Sequence, residues 1–306
     1  MKRPVSIVVP ICDGVESLKR NLPALTAELE MRGHQDELII VDDSGSEDVA
    51  SWLQANTHQA THLAHSTPKG YGRALMTGGL AAKHELVLLL SPEVATRPGS
   101  IDALVDALVD DVLAVRPSFG APMGAPKDAR TDTKPTATAE PSSKPSSKKG
   151  WNAFFFELLG TPTGADFALD IALLLRKRDL PNEATAELLA PCCIDPAELG
   201  QRAQKMGSRT VQAAASSMDY RHVEPAPGSL EAFHDFVLGR NVLLAHWLHL
   251  GGRDEQHTHV QKLKEHAEGF ARLGRTEPLR LLVAALSRLK EVRTARRELQ
   301  LQRRAA

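Results

Sequence analysis

The chain has 306 residues, enough to bury a full core as one large domain or two smaller ones. Its net charge of −1 excludes a polycation built for nucleic acid, and no apolar run reaches the roughly 18 residues of a membrane span. Three cysteines, with Cys192 and Cys193 adjacent and no C-x-x-C pair, make no disulfide framework, so a reducing, cytoplasmic setting is expected. The apolar run near the N-terminus meets Pro10 and Asp13 too soon to be a signal segment.

Val5–Val9 is β-branched and continuous, as a strand buried on both faces is. Val15, Leu18, Leu22, Leu25 and Leu29 recur at helical spacing, and Pro23 predicts a kink or a late start there. Leu38–Val41 reads as the second strand and Thr61–His65 as a weaker third. Tyr71–Lys83 reads as a helix, Leu86–Leu90 as a strand, Ser100–Leu108 as a helix and Val112–Val115 as a strand. This alternation predicts an α/β fold with a mostly parallel sheet and helices on both faces.

Residues 121–150 break the pattern with five prolines, six basic residues and no Ile, Leu, Val or aromatic. Such a composition predicts a disordered Pro/Ser/Lys-rich insertion, either a plain surface loop or a basic arm for phosphates or an acidic partner. Leu169–Leu175 and Arg209–Ala213 read as strands, and Pro196–Met206 as a helix with Asp195 as its cap. From Ser229 onward the chain reads as helices over Leu230–Leu250, Val260–Leu273 and Leu279–Leu301, broken at Gly251-Gly252 and Gly274.

Acidic and glycine-rich clusters fall at predicted strand ends. Asp42 and Asp43 follow the second strand, where acids accept hydrogen bonds from a base or ribose; they serve equally as caps for a helix from Glu47. Gly70, Tyr71, Gly72 and Arg73 open a helix whose N-terminus suits a phosphate, or form an ordinary loop. Ser91-Pro92-Glu93 ends the Leu86–Leu90 strand, with Glu93 as a metal-binding carboxylate or the motif as a simple turn. His246, His249, His257, His259 and His266 share helical territory without evident acidic partners for a metal. The last helix is rich in arginine against one apolar side, a pattern of a membrane-surface helix or of a solvated face.

VSIVVPICDG, LIIVDDSGSED, the glycine-rich KGYGR and LLLSPEV together resemble family 2 glycosyltransferases of the GT-A (Rossmann-like) fold, over residues 3 to about 250. The SPEV motif is similar to the L-N-P-D-V of a rhamnosyltransferase-like branch. The resemblance implies a nucleotide-sugar-binding half at 1–120, the insertion at 121–150, an acceptor-side half at 151–228 and a C-terminal helical region at 229–306. It implies that Pro10, Asp13, Asp42, Asp43, Gly70 and Arg73 hold the nucleotide sugar, and that Glu93, with His222, holds Mg²⁺ or Mn²⁺. Asp195 takes the first acid of the family's base motif and Pro196 the second, which leaves Asp195 as the candidate base or as a helix cap. The implied activity is inverting transfer of a sugar from a nucleoside diphosphate donor to a hydroxyl of a polysaccharide or lipid-linked glycan of the cell envelope. The basic C-terminal helix implies peripheral contact at the inner face of a membrane, and no nucleic acid partner is implied. The alternative is a catalytically degenerate homologue acting as a binding or partner subunit.

Overall fold

In a computed structural model, the structure describes residues 2–12, 14–33, 35–119, 172–220, 230–272, 274 and 276–305. Asp13, His222 and the insertion at 121–150 lie outside the described residues.

The donor-side elements run β1 (Val5–Ile11), α1 (Glu16–Arg32), β2 (Glu37–Asp42), α2 (Glu47–Asn56), β3 (Thr61–Ala64), α3 (Tyr71–Ala81), β4 (Leu86–Leu90), β5 (Val94–Thr96), α4 (Ser100–Ala107) and β6 (Val112–Phe119). After residue 171 come β7 (Ala172–Arg176), α5 (Glu183–Leu189), α6 (Pro196–Lys205) and β8 (Arg209–Tyr220). Four helices follow: α7 (Leu230–His249), α8 (Arg253–Arg272), α9 (Thr276–Leu286) and α10 (Leu289–Ala305).

The eight strands form one sheet in the order β3-β2-β1-β4-β7-β6-β8-β5. β3, β2, β1 and β4 are parallel to one another, while β7 runs antiparallel to both β4 and β6. The sheet is therefore mixed rather than purely parallel. β1 and β4 are buried along their whole length, which is why they read as unbroken apolar runs.

Alternation along β1 sorts the helices. Val5, Ile7, Val9 and Ile11 join Leu18 and Leu25 of α1, Leu53 of α2 and Leu104 of α4 in one layer. Val8 turns the other way, into a layer with Ile39, Val41, Leu75 of α3 and Leu199 of α6. A third cluster unites Leu188 and Leu189 of α5 with Leu243 and Leu244 of α7, Ala285 of α9 and Val292, Ala295 and Leu299 of α10.

Several expectations change. Pro10 sits inside β1, buried and opposite Val41, beyond the Val5–Val9 run read from the sequence. Pairing of β1 with β4 ends at Val8, so the missing amide of Pro10 removes no ladder bond on that side. Helix α1 starts at Glu16 and runs through Pro23 to a left-handed Gly33 cap. β5 and α5 escape the apolar pattern because they are short, with three and seven residues. The expected helix Leu279–Leu301 is two, split at Ser287-Arg288, where the Ser287 hydroxyl donates back to the Ala284 carbonyl at 2.8 Å.

Candidate functional site

Because β1, β2 and β4 are adjacent and parallel, their carboxyl ends open on one edge of the sheet, with Asp42 at the end of β2 and Glu93 after β4 on either side of β1. That edge is where open α/β sheets bind ligands. Asp42 is 8% exposed, and its Oδ1 accepts hydrogen bonds from the Ser44 amide at 2.9 Å and the Ser44 hydroxyl at 2.6 Å. It closes a local turn, and Ser46 takes the N-cap position of α2. Next to it a groove of about 460 Å³ opens between the starts of α1 and α2, lined by Cys12, Gly14, Lys19, Ser44, Asp48 and Trp52 among others. The Lys19 ammonium sits 5.5 Å from the Trp52 ring centroid.

Asp43 has a different job from its neighbour. Its Oδ1 accepts from the Lys69 amide at 2.7 Å and pairs with His65 Nδ1 at 2.6 Å, while Oδ2 accepts from the Gly70 amide at 2.6 Å. Burial pushes the Asp43 carboxyl up, yet the Lys69 amide, His65 and the Gly70 amide outweigh it and hold it below the usual carboxylate range. The other ring nitrogen of His65 meets the Thr77 hydroxyl at 2.9 Å. Asp43, His65 and Thr77 thus brace the glycine-rich turn against α3, and sequence reasoning missed the last two. Their only sequence signal is position: His65 ends the third strand and Thr77 lies on the inner side of the following helix.

The turn itself needs its glycines. Gly70 has φ of 94°, a left-handed value costly for other residues, and is the N-cap of α3. A Cβ at Gly72 would collide with the carbonyl oxygen of Pro191, so α3 lies directly against the loop that leads to α6. Arg73 forms an ion pair with Glu187 of α5.

At the β4 end, Ser91 is buried and Glu93 partly exposed. The Glu93 amide donates to Ser91 Oγ at 3.3 Å and the Val94 amide to the Ser91 carbonyl at 3.1 Å, a tight turn that leads into β5. Asn21 of α1 holds this turn by donating to the Pro92 carbonyl at 2.8 Å. Among the described residues no group of three metal-ligating side chains occurs. A single partly exposed carboxylate on a pinned turn fits a hard divalent cation that keeps several waters and takes further oxygens from a diphosphate.

Asp195 precedes α6, its carbonyl accepting from the Leu199 amide, and it is 1% exposed. Glu198, three residues further along in α6, is also buried; its Oε1 meets Arg202 Nε at 3.2 Å and His249 Nε2 at 3.1 Å. Arg202 also donates to the Asp179 carbonyl at 2.7 Å. Glu198 and Arg202 of α6 and His249 of α7 therefore form a buried cross-link, and His249 is a member of it that the sequence did not reveal. Other expected histidine contacts are structural too: Trp247 Nε1 donates to His259 Nε2 at 2.8 Å, and the His246 ring lies 4.4 Å from that of His259. Burial pushes the Cys193 thiol up to about 11, so Cys193 offers no ready nucleophile there.

Comparisons with known proteins agree with this architecture. Mannosyltransferase PcManGT from Pyrobaculum calidifontis, solved with GDP-Man and Mn²⁺, superposes with a TM-score of 0.50 at 16% identity, over 94% of this chain and 75% of that one. Glucosyl-3-phosphoglycerate synthase from Mycobacterium tuberculosis, solved with Mg²⁺ and UDP, gives 0.50 at 13% identity over 79% of this chain and 78% of that one. These likenesses establish the GT-A glycosyltransferase fold. In sequence, undecaprenyl-phosphate 4-deoxy-4-formamido-L-arabinose transferase of Enterobacter sp. (strain 638) is 31% identical over 105 residues, 33% of this chain and 32% of that protein. The chain thus spans about a third of the length of that curated relative. The family model of Glycosyl transferase family 2 matches residues 6–161, about half of the chain and all of the donor-side strands. With the sheet order, the acid at the end of β2 and the glycine-rich start of α3 all in place, this chain belongs to glycosyl transferase family 2.

Proposed function

We propose that this protein transfers a sugar, with inversion, from a nucleoside diphosphate donor to a hydroxyl of a polysaccharide or lipid-linked glycan. The observation that carries the reading is the shared edge of β1, β2 and β4, where Asp42, the Gly70 turn and Glu93 all lie. Asp42 and the Pro10–Asp13 segment hold the nucleoside, with the neighbouring groove as the space for it. The α3 N-terminus, positioned by Asp43, faces the diphosphate, and Arg73 exchanges Glu187 for a phosphate oxygen. Glu93, with His222, holds Mg²⁺ or Mn²⁺, which when bound neutralises charge on the leaving diphosphate. Asp195 takes the proton of the acceptor hydroxyl. Supporting the donor class, two structural relatives were solved with GDP-Man and with UDP. A lipid-linked acceptor is supported by the undecaprenyl-phosphate named for the curated relative. The reading includes a cytoplasmic site of action with peripheral membrane contact through α10, and membership of the branch with an L-N-P-D-V motif.

Calorimetric titration of uridine, guanosine and thymidine diphosphates, with and without Mn²⁺, tests this reading. At least one should bind more tightly with the metal, and Glu93→Gln should abolish that gain. Failure of the wild-type protein to bind any of them, with or without metal, would overturn it in favour of a non-catalytic homologue.

A further inference from the structure

Helix α1 buries polar side chains within its core-facing stripe. Leu18, Asn21, Leu25, Glu28 and Arg32 recur at spacings of three and four, and all are buried. The leucines are what such a stripe requires. The three polar residues each reach into the segment that leads from β4 into α4. Asn21 Nδ2 donates to the Pro92 carbonyl at 2.8 Å. Glu28 accepts from the Gly99 amide at 2.8 Å and the Ile101 amide at 3.0 Å. Arg32 pairs with Asp102. One helix face thus sets out residues 92–102, with Glu93 next to the first point of attachment.

Asn21 acts on a single peptide unit. The Pro92 carbonyl and the Glu93 amide belong to the same planar group. Asn21 holds its oxygen, and Ser91 Oγ accepts from its N–H at 3.3 Å. A plane held at both ends does not rotate, so the direction in which the Glu93 side chain leaves the turn is set. The next residue is fixed too: the Val94 amide donates to the Ser91 carbonyl at 3.1 Å, and Val94 pairs with Tyr220 of β8.

Stability alone does not account for Asn21. It is 3% exposed, and its Oδ1 has no hydrogen-bond partner among the described residues. A buried carboxamide with an unused oxygen costs more than the leucines on either side of it in the stripe. What it supplies, and leucine cannot, is a donor aimed at the peptide unit before Glu93.

We infer that Asn21 is a positioning residue for the divalent cation, acting through Glu93: it sets the metal affinity of the site by fixing the plane from which that carboxylate projects. The inference rests on the assignment of the metal to Glu93 under the proposed function. Partners that orient a metal ligand affect affinity because a ligand that must first be ordered binds more weakly.

The test is calorimetric titration of the full chain with uridine, guanosine and thymidine diphosphates over a series of Mn²⁺ concentrations, for wild type, Asn21→Leu, Asn21→Asp and Glu28→Gln. Asn21→Leu keeps the branched shape and removes the donor. Asn21→Asp keeps the size and turns an acceptor toward the carbonyl. In both, the Mn²⁺ concentration giving half of the metal-dependent gain in nucleotide affinity should rise about 10–100-fold, with affinity in the absence of metal unchanged. Amide hydrogen exchange in the metal-free protein should quicken in peptides spanning residues 91–96 of both variants. Glu28→Gln controls for a general loosening of α1. It weakens the hold on the start of α4, so it should lower the melting temperature and leave the Mn²⁺ midpoint in place. If Asn21→Leu fails to fold by circular dichroism, Asn21→Asp decides the matter. A wild-type midpoint in the folded Asn21 variants would overturn the inference. So would an equal rise in Glu28→Gln, or an equal loss of nucleotide affinity without metal. Absence of any Mn²⁺ gain in the wild-type protein would overturn the metal site of the proposed function, and this inference with it.

Discussion

The donor-side half and the helical half of this molecule differ in the balance of their cross-links, although Arg32 on Asp36 and Asp102 and His65 on Asp43 show that the first uses cations and histidine too. In the first, buried carboxylates accept backbone amides: Asp43 from Lys69 and Gly70, Glu28 from Gly99 and Ile101, Asp36 from Val5, and Glu37 from Lys83. In the second, arginine and histidine side chains do the joining: Arg202 and His249 on Glu198, Arg240 on the Ala190 carbonyl, His259 under Trp247. The amide-bound acids pin loops at strand ends, so they fix where a ligand meets the sheet. The cation and histidine contacts pin helices to one another and to the loop before α6. The difference separates the part of the fold that must be rigid to recognise a donor from the part whose packing responds to conditions.

Exchanging an acid in each half should give opposite phenotypes. Asp195→Asn should lower turnover by about 10²–10⁴-fold, the usual range for losing a general base, with nucleotide affinity and melting temperature close to wild type. Steady-state kinetics beside thermal unfolding check this, and an unchanged rate would remove Asp195 from the reaction. Asp43→Ala should do the reverse. It strands two amides and His65 at a buried site, so a loss of about 3 kcal/mol in denaturant unfolding is expected, with weakened nucleotide binding as the Gly70 turn loosens. If the stability of Asp43→Ala matched wild type, the contrast between the halves would collapse.

A smaller effect follows from pH. Burial and the neighbouring His259 push His246 down to about 4, and burial also lowers His259, whose Nε2 must stay deprotonated to accept the indole N–H of Trp247. Both are neutral in the fold but would protonate in the unfolded chain near the ordinary 6.5. Their contribution is therefore fully present above about pH 6.5 and lost as pH falls toward 4, at no more than about 1.4 kcal/mol per pH unit for each. Denaturant unfolding at several pH values between these limits should show the slope. His259→Gln, which keeps an acceptor for Trp247 and does not titrate, should flatten it.

What the sequence disclosed follows from period and length. β1, β2 and β4 are continuous apolar runs flanked by turns, and they could be read directly, as could α3 and α4 with their regular spacing. β7 was visible as an apolar run, but nothing in ALLLR says that it enters the sheet backwards between β4 and β6, because direction is set by where the chain arrives. β8 was legible only to Ala213; the structure extends it to Tyr220, where alternation gives way to paired edges with β5 and β6. In the site, residue types and strand-end positions pointed to Asp42, Gly70 and Glu93. The division between Asp42 and Asp43 was hidden, since two adjacent acids look alike until the amides of Lys69 and Gly70 are seen to converge on the second. His65, Thr77 and His249 were hidden for the same reason: their partners lie 12 to 51 residues away in the chain.

The backward strand β7 has one more consequence. Because β6 and β7 are antiparallel neighbours, the end of β6 at Phe119 and the start of β7 at Ala172 emerge from the same edge of the sheet, and Ala172 lies opposite Leu90, one residue before Ser91. The entropic cost of closing a segment between two such nearby ends grows only with the logarithm of its length, about 0.6 kcal/mol for each doubling. Chain length at this junction can therefore change at small cost to folding. The junction also lies on the rim beside Glu93, so a change in length there alters what surrounds the crevice while the strands beneath it keep their register.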